Sequence, residues 1–198
     1  MGARRAGVPN AAFPTPAVQG VNFSLKAFPS GEALPELRIT GTIARRGDAL
    51  TIGYALEGDL SGLALPAPAA RPERKDRLWD ETCLEIFLAA AGSAAYREFN
   101  LSPAGHWNAY RFSSYREGMR EEEAIASLPF LVRMEPGVLR LALDLDLVGI
   151  GSTGKDVEVG ICAVVLTTAG RKSHWALAHP GPVPDFHLRD GFTLTITA

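Results

Sequence analysis

Cysteine is scarce in this chain: two thiols in 198 residues, Cys83 and Cys162, with no CxxC pair and no Cys/His spacing of a metal site. Disulfide scaffolds and zinc modules are thereby set aside, and both thiols read as small, reduced, half-buried residues within strand-like runs. Long apolar runs are missing too; none approaches the ~20 residues that span a bilayer. Neither sign of charge dominates. Twenty Lys+Arg against 22 Asp+Glu leave a formal net charge of -2, which supplies no general attraction to nucleic acid or to an anionic membrane. Catalytic signatures are absent as well. There is no GxSxG elbow, HExxH helix or phosphate-binding loop, and the glycines of GIGSTGK (149–155) precede no helical pattern, so they read as a turn. The amino end, MGARRAGVPNAAFPTPAVQGV, lacks the apolar stretch of a secretory signal, and Gly2 lacks the Ser/Thr context of myristoylation; the expected compartment is the cytoplasm.

Helical periodicity is almost wholly missing, and what stands in its place is alternation. Val21, Phe23 and Leu25 alternate with polar neighbours; Leu37 and Ile39, then Leu50, Ile52, Tyr54 and Leu56, flank the turn signal Arg45–Arg46–Gly47–Asp48. Residues 58–76 form a Pro/Ala-rich, then charged, connection. The Glu121–Glu122–Glu123 run reads as a solvated loop or a short helix. Val132 with Met134, continuing through Leu139 to Leu147, predicts a long half-buried strand, and 157–166, apolar at nearly every position, predicts a central strand covered on both faces. Short alternating runs at 174–178 and 192–197 close the chain. About ten strands punctuated by Gly and Pro predict an all-β fold, a two-sheet antiparallel β-sandwich of jelly-roll type. One domain is expected over 20–198, preceded by an irregular arm over 1–19.

Chemistry concentrates in residues 77–116, which hold two of the three Trp and three of the four Tyr. Leu84, Ile86 and Leu88 alternate with Cys83, Glu85 and Phe87; runs at 96–101 and 107–112 follow, joined by a Pro/Gly turn. The expectation is a three-strand antiparallel meander with Leu84, Ile86, Phe99 and Leu101 facing the partner sheet. Glu85, Glu98 and Asn100 then share the opposite face, as candidate acceptors and donors for a small polar ligand. The competing reading is an ordinary exposed face on which Glu85 or Glu98 pairs with Arg97 or Arg111. Of the four His, His174, His179 and His187 lie in or beside a Pro-rich loop; structural hydrogen bonding is expected of them rather than metal ligation.

The ordered set LWDETCLEIFL, YREFNLSPAGHWNAYRF, SSYREGM and HWALAHPGPVPDFH resembles the DOMON-like β-sandwich proteins related to family 9 carbohydrate-binding modules, over about residues 20–197. That resemblance implies a ligand-binding sandwich in which some members hold a sugar between aromatic rings and others hold haem. It implies that Trp79 and Glu85 stand at the positions of a first Trp and its strand Glu, that Trp175 is the second Trp of the clamp, and that Asn100 and Arg111 bond the ligand. Glu98, Trp107, His179 and His187 are secondary candidates. The match departs at Thr82, where an acidic residue is expected. The expected function is non-catalytic binding of a saccharide or sugar derivative, with no metal, no cofactor, no nucleic-acid or membrane partner, and no indication of oligomeric state. Two alternatives accompany it. One is haem-dependent electron transfer, with Met119, Met134, His174 and His179 as available axial ligands; the other is a glycoside-processing enzyme using Glu85 with Glu98 or Asp185 as its acid/base pair.

Overall fold

Alternating sequences become strands here because each can bury one face, and the strands pair antiparallel throughout. The computed structural model describes residues 20–31 and 35–198; the arm expected over 1–19 lies outside them. Five strands form one sheet in the order β1 (Val21–Ser24), β3 (Leu37–Arg46), β4 (Ala49–Gly58), β10 (Val138–Asp146), β9 (Phe130–Glu135). The second runs β2 (Lys26–Ala27), β12 (Lys172–Ala176), β11 (Val157–Leu166), β5 (Cys83–Ala90), β6 (Tyr96–Leu101), β7 (Trp107–Phe112), β8 (Arg120–Glu121), with β13 (Leu194–Ile196) on the free end of β11. No α-helix occurs among the described residues, so none could cross a membrane. The two-sheet antiparallel sandwich expected from the sequence is the observed architecture.

The inner faces meet in one large core. Ile39, Ile43, Leu50, Ile52, Leu141 and Leu143 of the first sheet pack against Leu84, Ile86, Phe99, Leu101, Ile161 and Val165 of the second. The central meander has the expected phase: Leu84, Ile86, Phe99 and Leu101 face the other sheet. At the level of the future site the Tyr54 hydroxyl donates to the Glu85 carbonyl at 2.8 Å, tying the sheets together across the core.

Two local expectations change. The run 132–147 is a hairpin rather than one strand; Gly137, at φ 73°, makes the left-handed turn that lets β10 fold back on β9 in register. The acidic run is not fully solvated either. Arg120 and Glu121 add a short strand to β7, and Glu122 is turned inward and buried.

The outer face of the second sheet is covered as well, which the alternating pattern of β5 does not announce. Every residue from Cys83 to Ala89 is buried. Phe87, Ala89, Tyr96, Tyr110, Phe112, Cys162 and Ala176 form a second apolar cluster beneath Phe192, with Trp79 and Phe186 packed partly against it. The cover is the segment 177–193 after β12. A Cβ on Gly160 would meet the Phe192 ring at 2.9 Å, so glycine here opens the seat for that ring. Cys83 and Cys162 are free thiols on this face, and burial pushes both well above the ordinary thiol pKa. Native protein should therefore resist a thiol reagent at neutral pH, whereas denatured protein should release two reactive thiols; fast modification of the native state would show that the cover is open.

Candidate functional site

Register builds the site. Glu85 stands opposite Asn100, and Phe87 opposite Glu98, so Glu85 and Glu98 are diagonal neighbours on one face of β5 and β6. On the other side of β5, Cys162 of β11 is opposite Glu85, and His174 of β12 is opposite Val164. A cavity of about 380 Å³ opens over this floor. Glu85, Glu98 and Val164 line its base; Trp79, Phe112, Lys172 and His174 line its sides; Pro184, Phe186 and His187 from the covering segment close it, with Arg116 and Met119 at the mouth.

Each wall is held by its own contacts. Trp79 sits in a single 3-10 turn, Leu78–Asp80, pinned by buried Leu78 and by Lys172, whose Nζ reaches the Trp79 carbonyl and the Asp80 carboxylate at 3.3 Å each. Its ring packs on Tyr110 at 5.6 Å. His187 is enclosed by Phe87 and Phe112 at 5.2 and 5.1 Å, and its Nδ1 shares a hydrogen bond of 2.8 Å with the Tyr96 hydroxyl. Asp185 accepts from Tyr115, from Arg116 and from the His187 backbone N–H, clamping the covering segment to the 113–117 turn.

Electrostatically the floor is unusual. Glu85 is 3% exposed, and burial, reinforced by the charge of Glu98, drives its carboxyl well above the ordinary range. Glu98 rises to about 7, because burial outweighs the Asn100 hydrogen bond and the Arg116 charge. His187 falls to about 4, chiefly through burial, so it faces Glu98 at 3.8 Å as a neutral ring near pH 7. Glu85 Oε1 and Asn100 Oδ1 are fully buried and accept no hydrogen bond.

The sequence candidates divide accordingly. Trp79, Glu85, Glu98 and His187 line the cavity. Asn100 lies beneath it and acts through Glu98, donating from Nδ2 to Oε1 at 2.7 Å. Trp175 does not join them. Its phase on β12 is that of Ser173, not His174, so its ring enters the inter-sheet core and its Nε1 donates to Ser173 Oγ at 3.0 Å. Arg111 and Trp107 share the opposite phase of β7 from Tyr110; Trp107 packs in the core with the Arg74 guanidinium 4.4 Å from its ring centre. His179 is spent on the Lys26 carbonyl and the Phe28 ring. Cross-strand pairing of Glu85 or Glu98 with Arg97 or Arg111 is ruled out by the same phase; Arg97 pairs with Glu122 instead. Thr82 is a structural peg, accepting from Leu166 N–H and donating to the Ala64 carbonyl. Of the available haem ligands, Met119 and His174 line the cavity, whereas Met134 is exposed on β9. Asp185 is engaged by Tyr115 and Arg116 and is held below the usual carboxylate range; burial opposes this, and those hydrogen bonds outweigh it. No metal-ligand cluster occurs among the described residues. Residues that alternation alone did not single out are Phe186, Arg116 and Lys172; the only signal for Phe186 was its place beside His187 in the Pro-rich loop.

No protein-family model matches the chain, and no curated protein does. Solved structures do. A "putative carbohydrate-binding protein" from Bacteroides uniformis ATCC 8492 superposes with a TM-score of 0.62 at 14% identity, covering 87% of this chain and 84% of that one. The two share a fold. Two structures of a family 9 carbohydrate-binding module from Caldicellulosiruptor kristjanssonii also match. The one with cellotriose has a TM-score of 0.45 at 12% identity, covering 73% of this chain and 67% of that one. The one with glucose gives 0.44 at 11%, covering 73% and 69%.

Two outcomes follow from the geometry. A carboxyl whose folded-state pKa is raised binds protons more tightly when folded, so Glu85 and Glu98 stabilise most below the unfolded value near 4.3, and that contribution is lost as pH rises. For Glu98 the loss is complete above about 7. His187, lowered to about 4, acts oppositely between that value and its unfolded value near 6.5. Stability to urea should fall with rising pH most steeply above about pH 6.5, where His187 no longer compensates. A Glu85→Gln/Glu98→Gln variant should flatten the fall, and an unchanged slope would place these carboxyls in water. Separately, Trp175→Ala should cost about 3 to 5 kcal/mol of stability, as a core truncation does, and should leave the cavity walls intact.

Proposed function

We propose that this chain is a non-catalytic saccharide-binding module whose ligand occupies the cavity over Glu85 and Glu98. The observation that carries the reading is a cavity of about 380 Å³ with two buried carboxyls, Glu85 and Glu98, in its floor and Trp79 and Phe186 among its walls. Desolvated carboxyls are costly, and ligand hydroxyls entering over this floor replace the water it has lost. Trp79 and Phe186 offer flat apolar faces that suit the C–H surface of a pyranose, while protonated carboxyls can both donate to and accept from its hydroxyls. The name of the Bacteroides uniformis neighbour agrees with this, as an argument from shared fold. Two buried, unpaired thiols fit a reducing compartment such as the cytoplasm.

Calorimetry and intrinsic fluorescence against a panel of mono- and disaccharides test it. Each sugar hydroxyl must shed water, so affinities of about micromolar to millimolar are expected. Trp79→Ala should weaken binding about tenfold, since aromatic contact and apolar burial together are worth about 1 to 2 kcal/mol. Glu85→Gln should weaken it while preserving the fold, because the amide replaces a neutral acid of the same shape. A panel with no saccharide bound, or with both variants binding as wild type does, refutes the reading. A Soret band on haem addition, lost in Met119→Leu or His174→Ala, would assign the cavity to haem instead. The raised Glu98 is the feature that favours glycoside processing; hydrolysis of chromogenic glycosides, abolished by Glu98→Gln, would establish it.

A further inference from the structure

Arg97, Arg111 and Arg120 occupy one cross-strand row. Arg97 is opposite Arg111 on β6 and β7, and Arg111 is opposite Arg120 on β7 and β8. Like charges directly opposite on neighbouring strands are destabilising, so three in a row need counter-charge. One carboxylate provides some: Glu122 accepts from Arg97 Nε at 2.7 Å. Burial pushes the Glu122 carboxyl up, but the Arg97 hydrogen bond, the Ala124 N–H and the charges of Arg97 and Arg111 hold it below the usual range. Glu121 is turned to the opposite face, where it accepts from Asn108 and lies 4.0 Å from Arg74, and among the described residues neither Arg111 nor Arg120 has a carboxylate within ion-pair distance. Two positive charges are thus left over beside one negative one. The Nε of Arg111 is buried and has no hydrogen-bond partner, and all three guanidinium-bearing residues line one small cavity of about 200 Å³, with Ser113 and Gly118 at its edge.

We propose that this arginine row is an anion-binding site for a tetrahedral or carboxylate group, separate from the saccharide cavity. Guanidinium forks match phosphate, sulfate and carboxylate oxygens in plane and spacing, and an anion here neutralises the row. The left-handed Gly118, at φ 64°, keeps the rim open: a Cβ there would lie 2.6 Å from Ser113 Oγ. Phe112 lines both cavities. The anion can accordingly arrive as a free ion or as a substituent of the sugar whose ring lies on the other side of Phe112.

The test is titration of the full chain with inorganic phosphate, glucose 6-phosphate and glucuronate at constant ionic strength, read by calorimetry and by thermal shift. A saturating response to inorganic phosphate is expected, lost or weakened at least about tenfold in Arg111→Gln/Arg120→Gln, because the charge-assisted hydrogen bonds to the anion are removed. Glu85→Gln should leave the response to inorganic phosphate unchanged, which separates this site from the saccharide cavity and its fate from that of the binding reading. Tighter binding of glucose 6-phosphate or glucuronate than of phosphate identifies a sugar-borne anion; equal or weaker binding identifies the free ion. A response that grows linearly without saturation, as general salt stabilisation does, or that is equal in wild type and the double variant, overturns the proposal.

Discussion

The second burial, on the outside of the sandwich, is the constraint on which the site depends. An antiparallel sheet normally keeps one face in water, and β5 would then show its Glu85 to solvent. Here the 177–193 segment lies over that face, seated by Phe192 on Phe87 and Tyr96 at 5.7 and 5.9 Å and by His187 among the same rings. The Asp185 clamp fixes its middle and the Arg189–Glu158 ion pair fixes it four residues further on. Remove that cover and the carboxyls become ordinary surface acids. With it in place they are desolvated, their pKa values rise, and a cavity rather than a flat face remains.

The same cover explains why the polar floor is incompletely satisfied. Asn100 gives one N–H to Glu98, Tyr96 is shared between His187 and the Arg116 N–H, and Tyr54 reaches only the Glu85 backbone. No side chain is left to serve Glu85 Oε1. Buried acceptors of this kind are rare because each costs stability. The 2.8 Å bond from Tyr54 keeps the Glu85 backbone fixed, so the carboxyl has little freedom to swing away and recover water.

Much of this was legible from spacing alone. The period of two in β5 set Glu85 on the face opposite Leu84 and Ile86, and the same period in β6 set Glu98 and Asn100 on the face opposite Phe99 and Leu101. Trp175 was placed in the clamp by the family resemblance, and spacing could not correct it: in KSHWA both faces of the strand are covered, so alternation does not tell His174 from Trp175. Arg111 illustrates the reverse. Its phase with Trp107 was readable, but only the structure shows Trp107 in the core, which sends Arg111 away from the floor. The covering segment was invisible because its packing is long-range, joining residues near 190 to rings near 90 that no local pattern links.

Strand β7 shows how these assignments become chemistry. Its even-numbered residues, Asn108, Tyr110 and Phe112, share the face on which the Glu85 cavity opens, with Phe112 in its wall; its odd-numbered ones, Trp107, Ala109 and Arg111, turn to the other side. Phe112, the residue common to the two cavities, is stacked on Tyr96 at 4.7 Å and 7° between planes, which holds its ring in place. A one-residue slip of β7 would exchange the faces, putting guanidinium charge beneath Trp79 and a phenyl ring among the arginines. The register is held against that slip by Asn108, whose amide bonds the Lys75 carbonyl, the Tyr110 hydroxyl and Glu121, and by Arg74, which reaches the carbonyls of Glu122 and Ile125. The polar contacts that appear peripheral to binding are thus what decides which chemistry each face of the strand presents.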